Sequence, residues 1–268
     1  MDPRLRGNDK MPLYDEQVTL LENRKINEKY FKLSFKSEKL ARKVLPGQFL
    51  NVQVTEAMDP FLRRPFSYYR IQQSKIEVLY EIFGKATTLL AGLKKGDPLK
   101  VLGPLGKAFT LKPKKKKRVL VAGGVGVPPL VFLAEKYAVD YLLIGTKSKK
   151  EVLPRSELSK VKAKVLYSTD DGSYGQKGLV TKLLKQVIEK KGKDLFVQTC
   201  GPQPMMKAVI DLARAEGIDG EASIDEYMAC GVGACLGCMV ETPRGWVPSC
   251  TEGPVFNFKE LTGSPLYG

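Results

Sequence analysis

The chain contains no histidine among its 268 residues. This absence excludes three kinds of site within the chain: catalytic triads with a histidine base, zinc sites with imidazole ligands, and two-histidine iron sites. Any chemistry therefore rests on cysteine, carboxylate or lysine side chains, or on a bound cofactor. Long apolar runs are also missing, because the longest uncharged stretch, residues 119–134, is too short to cross a bilayer and is interrupted by glycines and prolines.

The amino-terminal residues lack the apolar stretch of a secretory signal. Residues 1–10 begin with charged side chains, show no periodicity and precede a second methionine, Met11. We expect a tail here, and a native protein that begins at Met11 would show that these residues lie upstream of the true start. Without a signal or a membrane span, the sequence predicts a cytoplasmic protein.

Positive charge is in excess. The chain has 44 Lys and Arg residues against 29 Asp and Glu residues, a formal net charge of +15. Such a charge attracts nucleic acid, anionic lipid or phosphorylated cofactors. Part of the excess is one block within residues 112–118, and the remainder is scattered along amphipathic segments. This distribution favours a solvated linker and solvated helix faces over a nucleic-acid surface.

Apolar periodicity divides the chain into parts. From Met11 onward, short alternations of period two, bounded by Gly, Pro or charged residues, predict a small antiparallel β-barrel. After the lysine block, continuous apolar strands alternate with segments of helical spacing, which predicts a doubly wound parallel α/β sheet. The last stretch is rich in glycine, holds four of the five cysteines and is too short to bury much core. The sequence therefore predicts a multi-domain β + α/β protein with a tail (1–10), a barrel (11–112), an α/β domain (113–222) and a small cysteine module (223–268).

Four cysteines near the carboxyl end have the spacing of a metal site. Cys230, Cys235, Cys238 and Cys250 form the pattern Cys-x4-Cys-x2-Cys-x11-Cys, whose first two intervals match the plant-type iron-sulfur spacing. Small residues between them let the backbone fold tightly and aim its N–H groups at sulfur. Residues 239–249 are typical of a hairpin that returns the chain to the fourth cysteine. A structural zinc site and disulfides are the alternatives, but zinc ribbons usually present two Cys-x2-Cys pairs and a reduced cytosol disfavours disulfides. The pattern favours a [2Fe-2S] cluster.

Two segments of the barrel part are compatible with a flavin site. Residues 63–67 combine arginine, a rigid proline, an aromatic ring and a hydroxyl group, which suit the pyrophosphate and the ring of a flavin dinucleotide. Gly84 opens a short helical segment in which we expect Thr87 and Thr88 to cap the first turn while its N–H groups face phosphate. Each segment alone is also compatible with a strand end or a plain turn.

Glycines also follow the first strand of the α/β part. Gly123, Gly124 and Gly126 precede a helix at the point where a doubly wound fold binds pyrophosphate, although the full G-x-G-x-x-G spacing is missing. Residues 169–173, which include Asp170, suit a ribose hydroxyl or a simple turn. Cys200 stands apart and on its own is equally compatible with a buried small side chain.

The order of these segments resembles that of the ferredoxin-NADP reductase superfamily. The motifs are Arg64-Pro65-Phe66-Ser67, GKATTLL, GDPLKVLGPLG, AGGVGVPPL, TDDGSYGQKG, CGPQPMM, and the closing CGVGACLGC with SCTEGPVF. Within this superfamily, the segment DEYMACGVGACLGC is similar to the electron-transfer subunits of type B dihydroorotate dehydrogenase. The resemblance spans residues 13–258.

This resemblance implies three cofactors, namely FAD, a [2Fe-2S] cluster on the four cysteines, and NAD. The residues expected at the flavin and the nucleotide are Arg64, Pro65, Phe66, Ser67, Leu79, Tyr80, Glu81, Gly84, Ala86, Thr87, Gly123, Gly124, Gly126, Asp170, Cys200 and Gly201. The resemblance also implies a cytoplasmic oxidoreductase subunit of pyrimidine biosynthesis in which the redox cofactors, not side chains, carry the chemistry.

The implied partner is an FMN-containing catalytic subunit that oxidises dihydroorotate, in a heterotetramer with two copies of each chain. Electrons would pass from that FMN through the cluster and FAD to NAD, and no nucleic acid or membrane would take part. Hydride chemistry at NAD requires two electrons together, whereas the cluster passes one at a time and FAD exchanges both.

Two other functions are compatible with the same sequence. The Cys238 to Cys250 interval approaches that of related NADPH- and sulfur-reducing complexes, and Lys147, Lys149 and Lys150 suit NADPH. These features point to the diaphorase subunit of a bifurcating transhydrogenase or sulfhydrogenase. A basic zinc protein that binds nucleic acid would account for the charge and the cysteines but leaves the flavin-type segments without a role.

Overall fold

The computed structural model of the chain describes residues 12–113 and 116–261. The expected tail, residues 1–10, and Lys114 and Lys115 of the lysine block lie outside the described residues. Two seven-stranded sheets and one two-stranded hairpin make up the fold. In the described ranges, no helix has both the length and the apolar character that a membrane span requires.

The first sheet is an antiparallel half-barrel. Its strand order is β4-β3-β7-β1-β2-β6-β5, and every pairing is antiparallel. The ring centroids of Phe66 on the edge strand β4 and Tyr80 on β6, next to the opposite edge, lie 5.8 Å apart, so the sheet is strongly curled. The predicted small antiparallel barrel is therefore confirmed as an open half-barrel. Its strands are β1 (Tyr14–Lys25), β2 (Tyr30–Lys36), β3 (Phe49–Gln53), β4 (Arg64–Ser67), β5 (Arg70–Gln72), β6 (Lys75–Glu81) and β7 (Pro98–Leu105), with the short helices α1 (Glu38–Ala41) and α2 (Lys85–Gly92) between them.

The second sheet is parallel except at one edge. Its order is β11-β10-β9-β8-β12-β13-β16, and only β16 runs antiparallel to its neighbour. In the described residues, three helices connect its parallel strands: α3 (Val127–Lys136), α4 (Val180–Lys191) and α5 (Gln203–Ala215). The strands are β8 (Lys117–Gly123), β9 (Tyr141–Thr146), β10 (Lys164–Thr169), β11 (Gln176–Lys177), β12 (Leu195–Cys200), β13 (Asp219–Ser223) and β16 (Val255–Asn257).

The middle strand of this sheet, β8, is apolar on both sides, and helices accordingly cover both faces of the sheet. Successive residues of a strand point to opposite faces. Val119 and Val121 accordingly pack in a core with α4 and α5, whereas Leu120 and Ala122 pack in a second core with α3. The predicted doubly wound α/β arrangement is confirmed.

The carboxyl-terminal segment forms a hairpin and then returns to the second sheet. The predicted hairpin is confirmed as β14 (Met239–Thr242) and β15 (Gly245–Pro248), and the short helix α6 (Ser249–Glu252) follows it. The segment then pairs with β13 through β16 and places Phe256 and Phe258 in the core of the α/β sheet. The cysteine segment is thus anchored by a strand and by apolar side chains.

A buried cluster of charged side chains joins the half-barrel to the α/β sheet. Arg70 on β5 donates through Nε to both carboxylate oxygens of Glu135 on α3, at 3.0 and 2.9 Å, and through Nη1 to Glu77 at 3.1 Å. Lys32 on β2 lies 2.7 Å from the carboxylate of Glu157. These side chains are less than a tenth exposed. Charges on the half-barrel strands are therefore paired with Glu135 of α3 and with Glu157 of the α/β part, which fixes the two parts against each other, and a cleft opens between them.

Candidate cofactor cleft and cysteine site

The cleft lies between the half-barrel and the carboxyl edge of the parallel sheet, where open α/β sheets bind ligands. Strands β4 and β6 supply one wall, and the ends of β12 and β13 with the turn after β8 supply the other. The lining residues are Phe49, Pro65, Phe66, Ser67, Leu79, Tyr80, Glu81, Val125, Gly126, Cys200, Gly201, Ser223, Ile224, Asp225, Met228 and Pro254. Nine of the sixteen cofactor residues predicted from the sequence are brought together here.

The half-barrel wall is aromatic with polar groups beside it. The rings of Phe66 and Tyr80 meet edge to face. The Tyr80 hydroxyl donates to Asn23 at 2.9 Å, and burial raises its pKa, so the phenol stays neutral. The hydroxyl of Ser67 and the carboxylate of Glu81 lie in the same lining. An apolar, aromatic surface with a few polar groups is suited to a flat heteroaromatic ring.

The opposite wall depends on a close approach at Gly126. A Cβ atom at this position would overlap with the Cys200 carbonyl group, so only glycine lets the turn pack against the end of β12. The Tyr30 hydroxyl, from β2 of the half-barrel, donates to the Gly124 carbonyl oxygen at 2.8 Å and holds the same turn. The turn leads directly into α3, but Pro128 and Pro129 in its first turn have no N–H group and the Val127 N–H group already donates to the Gly124 carbonyl oxygen, so this helix start offers few donors to a phosphate.

Seven predicted cofactor residues do not line this cleft. The Arg64 guanidinium turns back and donates to the Leu62 carbonyl oxygen at 2.6 Å. Asp170 is exposed at the end of β10, two strands away from β8, and its N–H group donates to Thr146 at 3.1 Å. The full set is Arg64, Gly84, Ala86, Thr87, Gly123, Gly124 and Asp170.

The predicted capping of α2 by Thr87 and Thr88 is wrong. Gly84 is the N-cap residue, with φ +83°, and both threonine hydroxyls donate to its carbonyl oxygen, at 3.1 and 3.0 Å. The Thr87 oxygen accepts a bond from the N–H group of Phe83, which lies outside the helix. No side chain of the N-cap residue satisfies the first N–H groups of α2, and these donors can serve an anionic ligand.

Sequence reasoning missed Asp225, a carboxylate of the cleft. Asp225 lies exposed in the cleft lining, and desolvation by the surrounding protein raises the pKa of its carboxyl group. Burial and, secondarily, the charge of Asp225 raise the pKa of the Cys200 thiol to about 12. An acidic pair, Asp225 and Glu226, follows β13 in the sequence, but this strand reads DGEAS and has no apolar run that would have marked a strand end there.

Backbone N–H groups point at the sulfur atoms of three of the four clustered cysteines. The Cys230 sulfur accepts bonds from the N–H groups of Val232 and Cys235, both at 3.4 Å. The Cys250 sulfur accepts from Gly233 at 3.2 Å, and the Cys238 sulfur accepts from the N–H group of Cys250 at 3.4 Å. Partial burial raises the pKa of the Cys230 thiol, but the hydrogen bonds from these N–H groups outweigh burial and bring it down to about 6. The loop therefore favours the thiolate of Cys230, whereas burial and the neighbouring Cys238 raise the pKa of the Cys250 thiol to about 12.

This arrangement fits a two-iron cluster better than a single metal ion. All five cysteines lie within the described residues and are free thiols. In the same part of the chain, no three histidine, cysteine or acidic side chains are spaced to bind one ion, as a zinc site with bonds of about 2.3 Å requires. A [2Fe-2S] cluster spreads four thiolates over two irons, and N–H groups directed at sulfur are typical of such sites.

Comparison with known proteins agrees with this geometry. Residues 225–262 match the iron-sulfur cluster binding domain of dihydroorotate dehydrogenase B, and residues 120–211 match an oxidoreductase NAD-binding domain. The electron transfer subunit of NAD(+)-dependent dihydroorotate dehydrogenase B from Geobacillus thermodenitrificans is 38% identical over 258 residues, which are 92% of this chain and 98% of that protein. The chain belongs to the family of dihydroorotate dehydrogenase B electron transfer subunits. The family member from Desulforamulus reducens is 37% identical over 234 residues, 84% of this chain and 89% of that protein.

Solved structures with the same fold include other flavin reductases. A chain of the NADH-dependent reduced ferredoxin-NADP oxidoreductase has a TM-score of 0.82 at 25% identity, over 93% of this chain and 91% of that chain. A ferredoxin NADP+ reductase from Neisseria gonorrhoeae, with bound FAD and NADP, has a TM-score of 0.65 at 17% identity, over 76% of this chain and 92% of that chain, which shows the fold alone. The resemblance noted in the sequence of this electron transfer subunit is confirmed.

Proposed function

We propose that this dihydroorotate dehydrogenase B electron transfer subunit holds FAD in the cleft and a [2Fe-2S] cluster on Cys230, Cys235, Cys238 and Cys250, and delivers electrons to NAD. One observation carries the proposal. Phe49 and Met228 line the cleft and also pack in one core with Cys238 and Cys250. The same two side chains thus pack against the cluster cysteines and form part of the flavin cleft. The two centres would therefore lie close together, as electron transfer between them requires.

The cleft residues divide into three tasks. On the half-barrel wall, Pro65 to Ser67 and Leu79 to Glu81 would orient the flavin ring. Arg64, Gly84, Ala86 and Thr87 would serve the rest of the FAD, since the first N–H groups of α2 lack a side-chain cap from Gly84. For the nicotinamide dinucleotide, the proposed residues are Gly123, Gly124, Gly126, Asp170, Cys200 and Gly201. The flavin supplies the exchange between one-electron and two-electron chemistry.

The chain's own contribution at the cluster is to hold charge and to exclude water. Backbone N–H groups stabilise the Cys230 thiolate. Cys238 and Cys250 are at most 2% exposed, behind Phe49 and Leu105, so water has little access from the half-barrel side. Both effects adjust the potential of an iron-sulfur centre.

We infer a domain division at the same positions as in the sequence: a barrel over 11–112, an α/β domain over 113–222 and a cluster module over 223–268. The two sheets support the first boundary, because β7 ends at Leu105 and β8 begins at Lys117. The cluster module is not separate from the α/β domain, since its strand β16 belongs to the α/β sheet.

We further propose that the subunit works in the cytoplasm with an FMN-containing catalytic subunit, two copies of each, without nucleic acid or membrane. The names of the relatives imply such a catalytic partner. The cluster loop exposes apolar side chains, with Val232 at 41% and Leu236 at 59%. An apolar loop next to a redox centre is suited to contact with a protein that hands over electrons.

Coexpression tests this function. The chain should copurify with a dihydroorotate-oxidising subunit, and dihydroorotate-dependent NADH formation should need both chains. A complex that carries Cys235→Ser should still oxidise dihydroorotate with an artificial acceptor but should lose NADH formation. Unchanged NADH formation by that variant would overturn the proposed route.

A second candidate is a diaphorase subunit that uses NADPH, which the likeness to the NADH-dependent reduced ferredoxin-NADP oxidoreductase chain favours. Lys147, Lys149 and Lys150 are the residues proposed for the extra phosphate. Lys150 already pairs with Glu28 at 3.3 Å, which reduces its free charge. Steady-state rates with NADH and NADPH separate the two: a preference for NADH supports the first function, and a preference for NADPH supports the second.

A further inference from the structure

Asn51 lies between the flavin wall and the loop of the first cluster cysteine. It is fully buried on β3, where it pairs with Pro65 of β4 on one side and Leu102 of β7 on the other. Its neighbours Leu50 and Val52 point into the half-barrel core. Because side chains alternate along a strand, Asn51 points to the opposite face, where the cysteine segment packs.

The side-chain amide of Asn51 contacts the start of the cysteine loop. Its Nδ2 group donates to the Cys230 carbonyl oxygen at 3.3 Å. The loop turns at Gly231, with φ +73°, where a Cβ atom would overlap with the same amide nitrogen. The loop therefore lies directly against the Asn51 amide. A side chain of the half-barrel thus fixes the position of the first peptide unit of the loop.

The other half of the amide has no partner. Oδ1 of Asn51 is buried and accepts no hydrogen bond from any described residue. A buried acceptor without a donor costs free energy, and an apolar side chain of similar size would fill the space without that cost. Packing alone therefore does not account for an amide at this position.

The Cys230 carbonyl group, which accepts the bond from Asn51, precedes the two N–H groups that donate to the Cys230 sulfur. The two donors belong to Val232, which follows Gly231 directly, and to Cys235, three residues further along the loop. If the Cys230 carbonyl group moved, the N–H groups of Val232 and Cys235 would point in a different direction relative to the sulfur. Hydrogen bonds to cluster sulfur stabilise the reduced, more negative state, so fewer or longer bonds make the reduction potential more negative.

We propose that Asn51 is a positioning residue of the iron-sulfur site, which acts through the Cys230 peptide and sets the potential of the cluster from the half-barrel side. This inference rests on the proposed function, since it requires that the four cysteines hold the cluster.

The test is Asn51→Leu in the full chain, purified without oxygen and loaded with FAD. The readouts are iron and flavin content, the electron paramagnetic resonance spectrum of the reduced cluster, and its midpoint potential by redox titration. We expect iron and flavin to stay at wild-type levels, the spectrum to change, and the potential to become more negative. Asn51→Ala removes the N–H donors without adding a charge, so it should shift the potential in the same direction and decides the matter if Asn51→Leu does not fold.

Gln198→Leu is the matched control. Gln198 is also a fully buried amide with an unpartnered oxygen among the described residues, but it lies on β12 and donates to Glu221 at 2.9 Å and Thr110 at 3.1 Å. This control should lower thermal stability and leave the spectrum and the potential unchanged. Asn51 variants with a wild-type spectrum and potential would overturn the inference alone, whereas a wild-type protein without iron would overturn the proposed function.

Discussion

Replacement of Arg70 by methionine tests the charged cluster that joins the two sheets. Arg70→Met removes the bidentate partner of Glu135, whose side chain is 6% exposed. Glu77 keeps Lys75 at 2.9 Å and Glu157 keeps Lys32 at 2.7 Å, so the loss is concentrated on Glu135. Removing one partner of a buried pair costs about 3–5 kcal/mol, because a charge remains buried without compensation. At about 2–4 °C per kcal/mol for a protein of this size, the melting temperature should fall on the order of 10 °C.

The double variant Arg70→Met with Glu135→Leu distinguishes an uncompensated charge from lost packing. Both charges are then absent and the space is filled with apolar atoms, so most of the stability should return. Thermal melts of the flavin-loaded protein, followed by circular dichroism, measure both variants under one condition. A single variant within about 1 kcal/mol of wild type, or a double variant less stable than the single one, would refute the reasoning.

Three further outcomes follow from the structure. Tyr68→Phe should leave the melting temperature unchanged or raise stability by about 1 kcal/mol, because the buried Tyr68 hydroxyl has no hydrogen-bond partner among the described residues; a clear loss would reveal a missed partner. Gly126→Ala should cost about 1–3 kcal/mol and weaken NADH binding measured by fluorescence, since its Cβ would overlap with the carbonyl group at the end of β12. Gly92→Ala, with open space around its Cβ, is the control for that variant, and equal effects would contradict the close approach. Cys200, whose pKa is raised to about 12, should resist alkylation at about pH 8 in the native protein and react after denaturation, and rapid native labelling seen by mass spectrometry would count against its burial.

Local patterns predicted most of the secondary structure. The alternation at Leu33 and Phe35 predicts β2 because these side chains fill the half-barrel core, whereas the burial of Lys32 on the other face leaves no sign in the pattern. The uniformly apolar strand with Val119 and Val121 predicts β8 because both of its faces are covered. The cysteine spacing likewise predicts a loop whose N–H groups point at sulfur. In each case the signal lies within a few neighbouring residues.

Features that depend on distant parts of the chain were not predictable in this way. The three residues of β16 carry no periodic signal, and only the exposed edge of β13 makes them a strand. Arg70 and Glu135 each look like solvated charges in the sequence, and their burial follows from the packing of one sheet against the other. The capping expected of Thr87 failed because a glycine with positive φ occupies the N-cap position, so the hydroxyl donates backwards instead.

The central claim is that this chain carries a two-iron centre on its four clustered cysteines beside a bound flavin. The most direct measurement is the content of iron, acid-labile sulfide and flavin in protein purified without oxygen, combined with the electron paramagnetic resonance spectrum after reduction. The account predicts about two irons, two sulfides and one FAD per chain, with loss of iron but retention of FAD in Cys235→Ser. A yellow protein without iron, or a Cys235→Ser variant with unchanged iron content and spectrum, would contradict it.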